Sequence, residues 1–284
     1  MNTINILALN IPLVFIMFGL GCTLTLNDFK KLFYNPKPVL IGLISQLIIV
    51  PTASMVIISA VKLPEEIAFG VLLVTFCPGG PVSNLVSHLC NGDVALSVSL
   101  TSISSILCVA TTPIWILIAK TLLHAETIQN VNLFSISLAL LLIVVVPIYI
   151  GMIIKNKYPI FSRSIQGYVK IASVIILLSA ILILIITKQS ELLTLIKQAG
   201  IIVLIIHFIN LILGYTVAKI FKLSRQHQLT VAIESGYQNN TLAIVLATTI
   251  FESVNISIPG ILYGLIKSVS AIILYFFSKR ILKI

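Results

Sequence analysis

The chain contains long apolar stretches without a single charge. Residues 38–61, 94–119 and 127–154 are three of them. A helix needs about 20 predominantly apolar residues to cross the hydrocarbon core of a bilayer. The composition agrees, since 58% of the residues are hydrophobic and 9% are charged, whereas an ordinary soluble domain has about 25% charged residues. We therefore expect an all-α polytopic membrane protein with the lipid bilayer as its surroundings.

Nine spans are expected, and they form a single transmembrane domain over residues 1–284. Two of the spans carry a charge in their interior, Glu234 and Lys267. The expected spans cover residues 5–26, 38–61, 66–90, 94–119, 128–154, 170–187, 198–219, 226–250 and 257–278, approximately.

Basic residues are concentrated on one side of this topology. The loops after spans 1, 5 and 7, together with the C-terminal segment, hold 13 of the 18 Lys and Arg residues. Because cytoplasmic loops carry the excess of Lys and Arg, the N-terminus is expected outside and the C-terminus in the cytoplasm. The net charge of +10 follows from this bias, so no nucleic-acid partner is expected. The expected location is the inner membrane of a bacterium.

Spans 3 and 8 each contain a segment that cannot continue a regular helix. Residues 78–81 read PGGP in span 3, and residues 234–240 read ESGYQNN at the corresponding depth of span 8. Proline lacks an N–H and glycine is a poor helix former. Paired broken helices in matching positions indicate an inverted-topology repeat, with spans 1–4 in the first repeat and spans 5–9, including an unpaired span 5, in the second. Two unrelated kinks are the alternative, because Pro and Gly are frequent in membrane helices.

A single carboxylate lies among neutral oxygen-bearing side chains in these segments. Glu234 is an intramembrane acid, and such acids are rare and usually mark an ion or proton path. Oxygen ligands with one carboxylate suit a hard monovalent cation such as sodium, since Ca²⁺ sites usually hold several carboxylates. For each Ser or Thr alone, hydrogen bonding between helices is the alternative. The neutral side chains are Gln46, Ser83, Asn84, Ser97, Thr101 and Gln238.

The two interrupted segments also resemble those of a known family. CPGGPVSNLVSHLCNGDVALSVSLTSISS and ESGYQNNTLA are similar to the two signature regions of the bile acid:sodium symporter family, and the resemblance runs from about residue 10 to the C-terminus. That family includes carriers of bile-acid-like anions, pantothenate precursors and small keto acids. The resemblance implies its nine-helix form, with a panel domain and a core domain in which two broken helices cross.

The resemblance also implies two sodium sites and a substrate site. Sodium site 1 is implied at Ser83, Asn84, Ser97, Thr101 and Glu234. Sodium site 2 is implied at Gln46, Glu234 and Gln238, with the backbone carbonyls of Ser235 and Tyr237. The substrate site is implied at Asn239, Pro81 and Lys267. Two of these residues depart from the family pattern. Pro81 occupies a position where close bacterial relatives have a small hydroxyl residue. Lys267 occupies a position where a polar residue, often His, is expected.

Lys267 admits three interpretations. It lines a polar crevice or extends to the membrane interface, as Lys side chains do. It attracts the carboxylate of a substrate. Or it pairs with Glu234 and replaces one sodium ion.

The predicted function is a sodium-coupled symporter that imports an organic anion by alternating access, with two sodium ions per substrate and no covalent cofactor. The anion is expected to be bile-acid-like, pantoate-like or ketopantoate-like, or a keto acid. The alternative is a proton-coupled carrier in which Glu234 relays the proton. An enzyme is not expected, because the sequence has no HExxH, GxSxG or paired Asp motif. The oligomeric state is left open, a monomer included.

Overall fold

The structure is a computed structural model that describes residues 13–25, 36–123, 132–162 and 192–282, together with single positions between 164 and 182. Helix makes up 86% of it, and the described ranges contain no β-strand. The all-α class predicted from the composition is therefore confirmed.

The helices are named here in chain order. They are α1 (13–21), α2 (Pro36–Ser59), α3 (Glu65–Phe76), α4 (Pro81–Leu89), α5 (Val94–Leu123), α6 (Leu133–Lys157), α7 (Leu192–Ile220), α8 (Arg225–Gly236), α9 (Asn240–Thr249) and α10 (Val254–Leu282).

Five helices of the described part are long and apolar enough to cross a membrane: α2, α5, α6, most of α7 and most of α10. Spans 3 and 8 appear as the pairs α3–α4 and α8–α9, and each member is shorter because the chain is interrupted between them. The expected span 6, at residues 170–187, and the first part of span 1 lie mostly outside the described residues.

Helix α2 contains a π turn at Ser45–Ile49, directly before Pro51. A π turn adds one residue to a helical turn and is frequent at functional sites. Within it, the side chains of Ser45 and Gln46 are fully buried, whereas Ile48 is exposed on the outer surface of the helix. The π turn therefore directs two polar side chains towards the interior of the bundle.

The two interrupted helices occupy the interior. In α3 every residue from Ile67 to Phe76 is buried, and in α9 every residue from Leu242 to Thr248 is buried. A helix that is apolar on all sides is stable only when it is surrounded. Helix α8 packs along α7, while α3 and α9 both pack on α10. The interruptions consequently lie inside the protein.

Candidate functional site

The gap between α3 and α4 contacts the gap between α8 and α9. Gly79 and Gln238 form an antiparallel bridge, and the Asn239 N–H donates to the Pro78 carbonyl at 2.8 Å. Pro78 and Pro81 account for the first gap, since neither offers an N–H to a continuing helix. Pro81 is instead the first residue of α4, where a missing N–H is tolerated. The ends of four helices thus meet at one crossing.

Polar side chains of α10 bind backbone carbonyls at the second gap. The Tyr263 hydroxyl donates to the Gly236 carbonyl at 2.6 Å, and the Lys267 ammonium donates to the Gln238 carbonyl at 3.0 Å. The side chain of Asn239 caps the first turn of α9. Interrupted backbone at membrane depth requires such partners, because hydrocarbon offers none.

Glu234, in the last turn of α8, is fully buried. Its carboxylate accepts a hydrogen bond from the Ser97 hydroxyl on Oε1 and another from the Thr101 hydroxyl on Oε2, the latter at 2.9 Å. No basic side chain of the described ranges forms an ion pair with it. An ionised acid at the centre of a membrane helix costs at least about 2.5 kcal/mol. The two hydroxyl donors offset part of that cost, and a cation would offset more.

Asn84 and Ser83, at the start of α4, extend this network. Asn84 Oδ1 lies 2.8 Å from the Ser97 hydroxyl and 3.2 Å from the Thr101 hydroxyl, so it shares with the Glu234 carboxylate the single proton that each hydroxyl can donate. The Ser83 hydroxyl donates to the Gly80 carbonyl at 2.7 Å and lies 3.4 Å from Thr101 Oγ1. The structure therefore brings together all the residues predicted for sodium site 1, although they come from α4, α5 and α8.

The residues predicted for sodium site 2 lie on the other side of Glu234. Gln46 Nε2, in the π turn of α2, donates to the Glu234 carbonyl at 3.2 Å and lies 3.5 Å from Gln238 Oε1. Gln238 Nε2 donates to the Ser235 carbonyl at 3.0 Å. Gln46 Oε1 is buried and has no hydrogen-bond partner within the described ranges. This amide oxygen is therefore available to a ligand.

Trp115 connects the π turn to the end of α3. Its indole N–H donates to the Leu47 carbonyl at 2.8 Å, and its ring stacks on Phe76 with centroids 6.0 Å apart. Trp115 is the single tryptophan of the sequence. Its fluorescence therefore reports on the surroundings of Gln46.

Gly79 leaves a small space between the two groups of predicted ligands. A Cβ atom at this position would lie 2.5 Å from Glu234 Oε2, 3.1 Å from Gln46 Nε2 and 3.3 Å from Thr101 Oγ1. A real Cβ atom essentially never approaches a neighbour to 2.5 Å. Polar atoms of both predicted sodium sites thus surround a space that only glycine keeps open.

The residues predicted for the substrate site border the same crossing. Asn239 is 5% exposed, and its Nδ2 has no hydrogen-bond partner in the part of the chain that is described. Pro81 is partly exposed. Lys267 is 5% exposed and donates to the carbonyl of Gln238. Because it forms no ion pair with Glu234 in the described structure, the geometry gives no support to a Lys267–Glu234 pair.

A buried polar cluster behind the second gap is not predicted from the sequence. Ser270 Oγ lies 2.8 Å from the Tyr237 hydroxyl and 2.6 Å from His207 Nε2. The imidazole of His207 also contacts the rings of Tyr237 and Tyr263, edge to face. His207 thus has a hydrogen-bonded packing role within an apolar helix. The Tyr237 hydroxyl points to this cluster, so only its backbone faces the gap.

Two carboxylates outside the predicted site also join helices. Asp93 lies 3.1 Å from His227, and the hydrogen bond from His227 is the main reason why the pKa of Asp93 is lowered to about 2. Glu66 accepts hydrogen bonds from Ser253 and Asn255. The position of Asp93 directly before a long helix is a cap signal that the sequence already contains.

A cavity of about 540 Å³ opens at the end of α6, lined by Thr25, Tyr149 and Asn156 among others. None of the predicted site residues lines it. The crossing, with its buried carboxylate and unpartnered amide atoms, is therefore the candidate functional site.

Comparison with known proteins identifies the family of the chain. A family model described as "Sodium Bile acid symporter family" matches residues 10–196. A Bacillus subtilis protein named "Uncharacterized sodium-dependent transporter YocS" is 34% identical over 273 residues, which cover 94% of this chain and 82% of that protein.

Two further relatives come from a plant and a mammal. The rice protein "Probable sodium/metabolite cotransporter BASS2, chloroplastic" is 29% identical over 88% of this chain and 58% of its own length. The rat "Sodium/bile acid cotransporter 4" is 31% identical over 83% of this chain and 54% of its own length. The chain thus spans little more than half of these two proteins. The family and its members are transporters and not enzymes, as the sequence predicts. This chain is an integral membrane protein and belongs to the sodium bile acid symporter family.

Proposed function

We propose that this chain is a sodium-coupled symporter that imports an organic anion by alternating access. The observation that carries the proposal is the Glu234 carboxylate, which is buried beside Gly79 and accepts from the hydroxyls of Ser97 and Thr101. The amide oxygen of Asn84 lies against the same two hydroxyls. The name of the Bacillus subtilis relative, a sodium-dependent transporter, supports sodium as the coupling ion.

Sodium site 1 is proposed at Ser83, Asn84, Ser97, Thr101 and Glu234. These side chains face the network through oxygen atoms, Asn84 through its Oδ1, and hard cations prefer oxygen ligands. Their single carboxylate balances one monovalent charge. A cation in this network also removes the reason why a buried acid is unfavourable in a membrane helix.

Sodium site 2 is proposed at Gln46, Glu234, Ser235, Tyr237 and Gln238. The unpartnered Gln46 Oε1 supports this site. Rotation of the amide exchanges its oxygen and nitrogen. After this rotation, Gln46 Oε1 would occupy the present position of Nε2, beside the Glu234 carbonyl oxygen and Gln238 Oε1. These three oxygens would then be able to bind a cation together.

The organic anion is proposed to bind at Asn239, Pro81 and Lys267. The free amide donor of Asn239 and the ammonium of Lys267 suit a carboxylate. The name of the rat relative, a bile acid cotransporter, supports a bile-acid-like anion, and the name of the rice relative supports a metabolite. The resemblance of the two interrupted segments adds a pantoate-like or ketopantoate-like anion, or a keto acid, to the proposed range. Two sodium ions offset the charges of Glu234 and a monoanion, so bound sodium raises the affinity for the anion.

In alternating access the binding site opens first to one side of the membrane and then to the other. We propose that an inverted repeat, with spans 1–4 and spans 5–9 as its halves, provides these two states. The first segments of the broken helices have 12 residues each, the second segments 9 and 10, and the helices that follow 30 and 29. Asn91 and Glu252, directly after the second segments, both have positive φ, at 57° and 49°. This agreement supports a common ancestor for the two halves. In the proposed orientation the N-terminus is outside and the C-terminus is cytoplasmic.

A thermal-shift screen tests the proposal. Sodium chloride is expected to raise the melting temperature of the purified protein and potassium chloride is not. Organic anions are then expected to raise it further only when sodium is present. Equal stabilisation by the two salts would contradict sodium coupling. Uptake driven by a pH gradient in sodium-free buffer would favour the proton-coupled carrier, with Glu234 as the relay.

A further inference from the structure

Asp93 joins the start of α5 to the first turns of α8. Its Oδ1 accepts a hydrogen bond from the Leu96 N–H at 2.9 Å and so caps α5. Its Oδ2 lies 3.1 Å from His227 Nε2. Its backbone N–H donates to the Thr230 hydroxyl at 2.8 Å, and Thr230 is fully buried. One residue thus makes a side-chain and a backbone contact with α8.

The same two helices meet again at the candidate site. Ser97 follows Asp93 by four residues, and Glu234 follows Thr230 by four residues. Residues four apart lie on the same face of a helix, one turn from each other. The Asp93–Thr230 contact and the Ser97–Glu234 hydrogen bond are therefore successive contacts between α5 and α8.

We propose that Asp93, His227 and Thr230 form a latch that positions α5 against α8 and thereby sets the affinity of site 1 for sodium. This inference rests on the proposed function, because it requires sodium to bind at site 1. The hydroxyls of Ser97 and Thr101 reach the Glu234 carboxylate only when α5 and α8 keep their present spacing. When a binding-competent state is populated to a smaller fraction, the apparent dissociation constant rises by the inverse of that fraction.

A second cluster of the same kind provides a matched control. Glu66, in the first turn of α3, accepts hydrogen bonds from Ser253 and Asn255 at the start of α10. It is also a partly buried carboxylate that joins two helices, but it lies at the other end of the bundle. Neither α3 nor α10 carries a residue of site 1. A variant at Glu66 therefore loosens the bundle without changing the spacing of α5 and α8.

Sodium alone is the probe, so no substrate is needed. The purified full chain is titrated with sodium chloride, with choline chloride keeping the ionic strength constant, and the fluorescence of Trp115 is recorded. Asp93→Asn is expected to raise the half-saturating sodium concentration roughly tenfold, the effect that loss of a hydrogen bond to a charged group commonly has. Thr230→Val removes a hydroxyl that accepts from a neutral backbone N–H and is expected to raise this concentration severalfold. Thr230→Ser restores the hydroxyl and is expected to restore the wild-type value.

Melting temperatures in sodium-free buffer separate positioning from general destabilisation. Asp93→Asn and Glu66→Gln are both expected to lower the melting temperature, whereas only Asp93→Asn shifts the sodium titration. His227→Ala is a second variant, chosen because substitution of a partly exposed side chain disturbs the fold least. It is expected to raise the half-saturating concentration severalfold.

Two results would overturn the latch. One is a wild-type sodium titration in Asp93→Asn and Thr230→Val. The other is an equal shift in Glu66→Gln, because general loosening would then explain the effect. A wild-type protein that does not respond to sodium overturns the proposed function, and the latch with it. A wild-type protein that does respond, with Asp93→Asn and Thr230→Val titrating like it, overturns the latch alone.

Discussion

Thr101 Oγ1 donates a hydrogen bond to Glu234 Oε2 at 2.9 Å, across 133 positions of sequence. The same hydroxyl lies 3.2 Å from Asn84 Oδ1. A threonine in an apolar helix thus connects the buried carboxylate to the start of another helix. Both a sodium ligand and a hydrogen bond that only holds helices together are compatible with this contact, and the two differ in energy.

Replacement of Thr101 measures that distinction. As a sodium ligand, its hydroxyl is worth about 1.5 kcal/mol or more, so Thr101→Val should raise the half-saturating sodium concentration by roughly tenfold. As an interhelical contact it is worth about 0.6 kcal/mol, less than a threefold change. The Trp115 titration measures the shift, and Thr101→Ser, which keeps the hydroxyl, is the control. If Thr101→Val changes the half-saturating sodium concentration less than threefold, the Thr101 hydroxyl is an interhelical contact and not a sodium ligand.

Glu234→Gln should abolish the response to sodium, with at least a roughly 100-fold loss of affinity, because the only carboxylate of both proposed sites is removed. The amide oxygen can still accept from Ser97 or Thr101, and a neutral side chain is less costly to bury. The melting temperature in sodium-free buffer should therefore be equal to or higher than that of the wild type. Retention of sodium-dependent fluorescence in this variant would exclude Glu234 as the shared ligand.

Gly79→Ala places a methyl group in the space between the two proposed sites, 2.5 Å from Glu234 Oε2. We expect loss of the sodium response together with a lower melting temperature. Gly200→Ala is the matched control, since its nearest side-chain atom lies 3.9 Å away. Gly200→Ala should stabilise α7 by up to about 1 kcal/mol, because Ala has a higher helix propensity than Gly. A normal sodium titration in Gly79→Ala would place the ions elsewhere.

Lys267→Met removes the ammonium group that binds the Gln238 carbonyl and keeps a side chain of similar length. Sodium binding should persist within about threefold of the wild-type affinity, because the Lys side chain makes no ion pair with Glu234 in the described structure. The additional stabilisation by organic anions should be lost, as expected for a residue that attracts a carboxylate. Lys267→Arg keeps a positive charge and should retain part of the additional stabilisation by organic anions. A lost sodium response in Lys267→Met would instead identify Lys267 as a substitute for one ion.

The pH dependence of the latch follows from Asp93. Its pKa is lowered to about 2, chiefly by the hydrogen bond from His227, whereas an unfolded Asp has a pKa of about 3.9. A depressed pKa contributes stability above the unfolded value and loses it as the pH falls towards the folded value. The difference in melting temperature between wild type and Asp93→Asn should not decrease between about pH 8 and pH 5 and should shrink below about pH 4. A difference that disappears near pH 6 would contradict this assignment.

The sequence predicts the membrane character, the two interruptions and the importance of Glu234. These features are local, because uncharged runs, the PGGP segment and an acid within an apolar span are each visible within one helix length. The resemblance to a known family adds the prediction of which residues form the two sodium sites. The structure brings the residues of both predicted sodium sites to the same crossing.

The tertiary structure alone decides which of these groups touch. Helices that are apolar on all sides give no periodic signal for their rotation, so the sequence does not show that Thr101 faces Glu234. Nor does it show that a π turn directs Gln46 inwards, that Lys267 binds a backbone carbonyl instead of the acid, or that Asp93 reaches His227. Each of these contacts depends on how whole helices pack. The sequence by itself therefore determined which polar groups lie within the apolar spans, and the packing of α2, α5, α8 and α10 determined how these groups meet at one crossing.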